Sequence, residues 1–327
     1  MAELSIIIIK IAVAFGALLL IATYMTWMER RVFALVQVRY GPNRVGPGGL
    51  LQPIADGIKL MFKETIIPMQ ADKVIYFLAP AMTLIPALAA FAVVPFGDSV
   101  TLFGRKIDLV VADVNVGILY IFALSSMGVY GVVLGAWASN SKYPLLGGLR
   151  SSAQLISYEL SLGMSLLGVV MIQGSLSLKD IVAGQAGMPY IVLQPLGFLL
   201  FVVCMIAETN RAPFDLAEAE SELTGGFHTE YSSMNFAAYF LAEYCNMITL
   251  SAVAATFFLG GWRGPILPPV AWFLVKIFAF MFFFMWLRAS TPRLRYDQLM
   301  AFGWKVLLPL SILNVIGTAG AIAFMGS

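Results

Sequence analysis

Residues 207–231, AETNRAPFDLAEAESELTGGFHTEY, gather six carboxylates (Glu208, Asp215, Glu218, Glu220, Glu222 and Glu230) and a single arginine, Arg211, between two apolar stretches. One third of the chain's 18 acidic residues sit here, in a protein only 12% charged. A loop that merely joined helices has no use for like charges at this density. Glu218, Glu220 and Glu222 recur at every second position, so an extended backbone points all three the same way. A helix instead puts Glu218 and Glu222 on one face, at a small cost in stability. Partial burial in either geometry raises carboxyl pKa values toward neutrality, and groups poised there exchange protons readily. The crowding suggests proton handling or a charged partner; a solvated acidic loop balanced by Arg293 and Arg295 is the plainer alternative.

Two more acids fall inside apolar segments. Glu159 lies in the cytoplasmic half of the fourth expected span, and Glu243 is close to mid-depth in the sixth. An ionised side chain there costs roughly 2.5–3.5 kcal/mol, so it needs a partner or a task. Glu208 closes the cytoplasmic end of the fifth span. With Tyr158 and Tyr244 beside two of them, these acids could form a titratable ladder descending from the loop. The alternative pairs Glu159 and Glu243 with Lys276 or with another chain. Lys10, near the outer end of the first span, is expected to snorkel.

What must position these groups is a membrane bundle. The 327 residues are 60% hydrophobic and 13% aromatic, with a mean hydropathy of +0.87, more apolar surface than a soluble domain of this size can bury. A spanning helix needs about 20 apolar residues. Segments 4–28, 73–95, 113–137, 152–172, 191–207, 234–259, 269–288 and 303–324 meet this, the fifth being the shortest. Of the 20 basic residues, 14 fall in alternate connections. These run from Arg30, Arg31, Arg39, Arg44, Lys59, Lys63 and Lys73 through Lys142, Arg150 and Arg211 to Arg288, Arg293, Arg295 and Lys305. That asymmetry marks the cytoplasmic (or matrix) side. The expected fold is thus an all-α polytopic membrane protein, a single membrane domain of eight transmembrane helices with both termini outside. The first apolar run is too long for a cleavable signal, and its positive cluster follows it.

One connection carries an element of its own. In residues 50–63, Leu50, Leu51, Ile54, Ile58, Met61 and Phe62 share one helical face, while Asp56, Lys59 and Lys63 lie opposite. This pattern predicts an interfacial amphipathic helix, either a plain anchor or a roof over a lateral opening for a lipid-soluble substrate. Gly131 and Gly135 predict close helix packing. One histidine, His228, and two cysteines, Cys204 and Cys245, are too few for an iron–sulfur cluster or a structural zinc site. No dinucleotide, P-loop or metalloprotease motif occurs, so electrons and nucleotides belong to other chains, and local charge gives no nucleic-acid footprint.

Three segments resemble one family closely: MERRVFALVQVRYGPNRVGPGGLLQPIADGIKLMFKE (28–64), AETNRAPFDLAEAESELTGGFHTEYSS (207–233) and RASTPRLRYDQLM (288–300). The likeness covers nearly the whole chain. The family is the membrane subunit called H in bacterial proton-translocating NADH:quinone oxidoreductase (respiratory complex I) and 1 in mitochondria. It implies eight spans, a subunit that joins the peripheral redox arm to the membrane arm, and no redox centre on this chain. Quinone is the implied substrate; NADH, FMN and iron–sulfur clusters belong to partner subunits. The implied partners are peripheral-arm quinone-site subunits, small and antiporter-like membrane-arm subunits, and the lipid of a bacterial inner membrane. Carried onto matching positions, Arg30, Arg39, Asp56, Phe240 and Arg293 line or brace the quinone chamber. Glu159, Glu208, Asp215, Glu218, Glu220, Glu222, Glu230 and Glu243 begin an acidic path toward the antiporter-like subunits. Glu29, Lys59, Lys63, Arg211, Arg288 and Arg295 are charge partners. The expected mechanism passes a change in charge at the quinone through the acidic loop into the glutamate ladder. The competing expectations are an independent transporter, disfavoured by the lack of paired broken segments, and a passive anchor, for example in a related membrane-bound hydrogenase complex.

Overall fold

A computed structural model describes residues 2–102, 105–216 and 220–325. Glu218 lies outside them, and the side chain of Glu220 is likewise not described. The elements in chain order are α1 (Ala2–Val36), α2 (Gln52–Phe62), α3 (Lys73–Ala90), a hairpin of β1 (Ser99–Leu102) and β2 (Arg105–Asp108), α4 (Gly117–Ala138) and α5 (Lys142–Gln173). There follow α6 (Leu178–Gly184), α7 (Tyr190–Leu193), α8 (Pro195–Glu208), α9 (Glu220–Leu223), α10 (Ser233–Phe258), α11 (Pro269–Ser290), α12 (Tyr296–Phe302) and α13 (Leu308–Met325). The protein is helical and polytopic, apart from the antiparallel hairpin, in which Ser99 faces Asp108.

Seven helices among the described residues are long and apolar enough to cross a bilayer. The expected fifth span differs. Its apolar helix α8 has only 14 residues, about 21 Å at 1.5 Å per residue against the ~30 Å of hydrocarbon. The chain leaves helical geometry at Gln194 (φ −130°, ψ 56°), between α7 and α8, because Pro195 cannot donate to a preceding turn. Gln194 turns inward, and its amide donates to Thr318 Oγ1 at 2.7 Å.

Two helices outrun the expected spans. α1 continues past residue 28 to Val36, so Glu29, Arg30 and Arg31 lie on its last turns rather than in a loop. α5 starts at Lys142, placing Arg150 on helix as well. A π-turn, Gly303–Leu307, joins α12 to α13; the missing side chain of Gly303 makes room for the Tyr158 ring.

α10 is the most enclosed spanning helix. Its run of small residues, from Ser251 through Ala252, Ala254 and Ala255 to Thr256, is buried, which lets neighbouring helices approach closely. α3 and α4 touch for a similar reason: a Cβ on Gly131 would lie 2.8 Å from the Ala79 carbonyl oxygen. Asp72 caps α3, accepting from the backbone N–H groups of Val74 and Ile75. The helix α2 contacts α1 and α10 and leaves Ile54, Ile58, Met61 and Phe62 exposed, as are Leu50 and Leu51 just before it, the face a helix lying on a membrane presents to lipid.

Candidate functional site: ionisable groups at one end of the bundle

Described parts of the connection 209–232 meet α1, α5 and α10. Three of its charges are held there by partners from distant elements. Arg211 is buried and is the hub. Its Nε lies 2.5 Å from Glu243 Oε1 on α10, and its Nη1 lies 3.3 Å from Glu29 Oε1 on α1. Its guanidinium also stacks over the Tyr244 ring at 4.8 Å. Glu29, buried too, accepts a hydrogen bond from Arg288 Nη1 at the end of α11 and one from the Tyr244 hydroxyl at 2.5 Å. Burial of two acids and a guanidinium is tolerable only because each opposes the other.

Glu208 and Glu159 form a second group. Ser125 Oγ donates to Glu208 Oε1 at 2.8 Å, and the neighbouring Ser126 donates to Glu159 Oε1. The two acids interact electrostatically, so adjacent serines on α4 join an acid on α8 to an acid on α5. Oε2 of Glu208 is buried and has no hydrogen-bond partner among the described residues.

A cavity of about 70 Å³ connects the two groups. Its lining includes Glu208, Asn210, His228, Phe240, Glu243 and Asn246. A buried water needs roughly 10–15 Å³ and two to four polar partners, and this space offers both several times over. The cavity can therefore hold a short file of waters between Glu208 and Glu243. Gly128 of α4 also lines it, and a Cβ there would meet nothing within 4 Å.

The other expected site residues scatter. Asp215 is buried and pairs with Arg293 at 2.9 Å. Glu222 is exposed and pairs with Arg150 at 2.7 Å. Arg30 pairs with Asp56 at 2.8 Å, which ties α1 to α2, and Gln52, one turn away on α2, also donates to Asp56. Arg39 is exposed and donates to Gln37. Lys59 and Lys63 are exposed and make no ion pair among the described residues. Glu230 takes part through its backbone, its carbonyl accepting from Tyr76 at 2.8 Å.

Several expectations need correction. Arg295 does not balance the acidic loop; it pairs with Asp297, two residues along its own chain. Lys276 neutralises neither Glu159 nor Glu243. Its ammonium donates to the carbonyls of Leu259, Gly261 and Arg263 at 2.6–2.8 Å, because the end of α10 leaves carbonyls without helical donors. Lys10 reaches the Val110 carbonyl at 3.4 Å. Tyr158 leaves the ladder: its hydroxyl donates to the Leu299 carbonyl, on a different face from Glu159.

Sequence reading overlooked Ser125, Ser126, Arg150, Asn210 and Asn246. A Ser-Ser pair in mid-span was the available signal, because hydroxyls at that depth seek a partner. Nothing local marked Arg150 as the partner of Glu222, 72 residues away.

At the opposite end of the bundle, Lys179 donates to Asp108 at 3.1 Å and lies 3.8 Å from Asp113. The Asp108 hydrogen bond raises the Lys179 pKa above its ordinary range, burial opposes that, and the charges of Asp108, Asp113 and Asp98 reinforce it.

A bundle of helices long and apolar enough to cross a bilayer, with carboxylates and arginines gathered at one end, defines an integral membrane protein. The family model described as NADH dehydrogenase matches residues 9–319. One of the NADH-quinone oxidoreductase H subunits of Geobacter sulfurreducens, the one numbered 2, is 58% identical over 316 residues, which is 97% of this chain and 96% of the relative. The NADH-quinone oxidoreductase H subunit of Syntrophotalea carbinolica is 53% identical over 323 residues, 99% of this chain and 98% of the relative. The protein of that name from Thermomicrobium roseum is 55% identical over 324 residues, 96% and 95% of the two chains. The chain belongs to the NADH dehydrogenase family, among its members named as the H subunit of NADH-quinone oxidoreductase.

Proposed function

We infer that this chain forms the membrane side of a quinone chamber and couples quinone reduction to proton movement through its enclosed acids. The observation that carries this reading is the shared cavity: Glu208 and Glu243 line one space, and serines lead from it toward Glu159. Arg30, Arg39, Asp56, Phe240 and Arg293 brace the chamber. Asp215, paired with Arg293, links chamber to loop, and Glu218, Glu220, Glu222 and Glu230 extend the loop's charge. Quinone reduction consumes protons and alters charge nearby. Arg211, held between Glu29 and Glu243, turns that change into a choice of partner, and a carboxylate released by the arginine gains proton affinity. Water in the cavity then carries the proton between Glu243 and Glu208.

NADH, FMN and iron–sulfur clusters sit on partner subunits of the peripheral arm, while small and antiporter-like subunits receive the coupling signal. In this reading α7 and α8 together serve as an eighth crossing of a bacterial inner membrane, with both termini on its outer side. The whole chain acts as one membrane unit.

Glu208→Gln tests the reading in the assembled complex, reconstituted into vesicles. Quinone-dependent proton pumping falls by about 100-fold, the scale of a positioned proton carrier. Unchanged turnover together with unchanged pumping reduces the chain to an anchor.

A further inference from the structure

The sole histidine of the chain, His228, stands in the same cavity wall as Glu208 and Glu243. It occupies the short turn Gly226–His228, which packs on α4 and α5. Its ring is buried and meets three phenyl rings edge to face: Phe227 at 5.0 Å, Phe236 at 5.4 Å and Phe240 at 5.7 Å. Rings at this range attract an imidazolium, as do the two carboxylates, whereas burial favours the neutral form. The ionisable groups that share its cavity wall are Glu208 from α8 and Glu243 and Tyr239 from α10, with Glu230 two residues further along its own segment. Beyond them lie Arg211, bound to Glu243, and Glu159, reached through the serines of α4. Imidazole is the side chain that changes charge between about pH 5 and 8, and no other group in this cavity wall is an imidazole.

We propose that His228 is a proton-carrying member of the cavity, which takes and returns a proton between Glu208 and Glu243 and sets the pH response of that transfer. This deepens the coupling role inferred above and rests on it. In its protonated state the histidine offsets one carboxylate charge. Once the proton passes to one acid, the net charge of the cavity is unchanged, and the other carboxylate, no longer opposed by an imidazolium, binds a proton more tightly. The pH dependence of pumping thereby acquires an inflection that belongs to the imidazole.

The test is His228→Asn, with His228→Gln as a second variant, in the assembled complex in vesicles. Each amide keeps hydrogen-bonding groups at the site and cannot titrate there. NADH oxidation by a water-soluble electron acceptor verifies that the assembly is intact. Quinone reduction and pumping are then followed from pH 5 to pH 8 beside Glu208→Gln. The expected result is retained quinone reduction, with the pumping inflection between pH 5 and 8 lost in both histidine variants. Pumping profiles superimposable on the parent's overturn the role of His228, even where Glu208→Gln abolishes pumping and upholds the cavity path. Parental pumping in Glu208→Gln overturns the underlying path instead.

Discussion

Arg211→Met removes the hub of the enclosed charges, and its cost follows from the contacts around it. The Arg211 side chain is 6% exposed, that of Glu29 10% and that of Glu243 19%, so solvent screens these pairs little. Without the guanidinium, Glu29 still has Arg288 and Tyr244, whereas Glu243 loses its arginine. Breaking an enclosed ion pair by removing one partner costs about 3–5 kcal/mol. Loss of the contact with the Tyr244 ring adds roughly 0.5–2 kcal/mol. At 1.4 kcal/mol per factor of ten, even the lower figure lowers the ratio of folded to unfolded chain about 100-fold. The assay is the amount of assembled complex in membranes, with Glu243→Gln made alone and in the same chain as Arg211→Met. Neutralising Glu243 removes the charge that Arg211 opposes, so the double variant recovers about 0.5–3 kcal/mol, the range for coupled neighbours. Parental assembly of Arg211→Met, or costs that simply add in the double variant, refutes the hub.

Gly131→Ala drives a methyl group into the Ala79 carbonyl and the Thr83 side chain, at a cost of about 1–3 kcal/mol, and assembly yield falls; Gly128→Ala, with open space around it, assembles as the parent does. Asp108→Asn removes the partner that raises the Lys179 pKa. A raised lysine pKa contributes stability that is fully present below about pH 10.4, the unfolded value, and is lost as pH climbs through the higher folded value. Both side chains are at least 30% exposed, so the deficit of the variant is within about 1 kcal/mol. Thermal unfolding across pH 7 to 11 shows that deficit at neutral pH and its disappearance at the alkaline end.

Much of the architecture was legible because membranes impose simple rules. Long apolar runs marked the seven spanning helices, and the α2 face was written in a helical period from Leu50 to Phe62. The break at Gln194-Pro195 was less legible, because hydropathy averages over a window and the apolar residues continue through it. Charge positions were legible, but their pairing was not. Arg295 sits near the loop in sequence and chooses Asp297, while Arg150 reaches Glu222 across 72 positions. Glu29 read as one charge partner among many; only the fold surrounds it with Arg211, Arg288 and Tyr244 at once. The cavity had no sequence signature, because its walls come from α3, α4, α5, α8 and α10 together with the loop.

The central claim is that proton transfer runs through the space shared by Glu208 and Glu243. Gly128→Leu tests it most directly, since the side chain grows into that space and displaces water while every ionisable group stays in place. With the assembled complex in vesicles, proton uptake per quinone reduced falls toward zero in this variant and persists in Gly128→Ala. A fully assembled Gly128→Leu complex that pumps at the parental ratio contradicts the account.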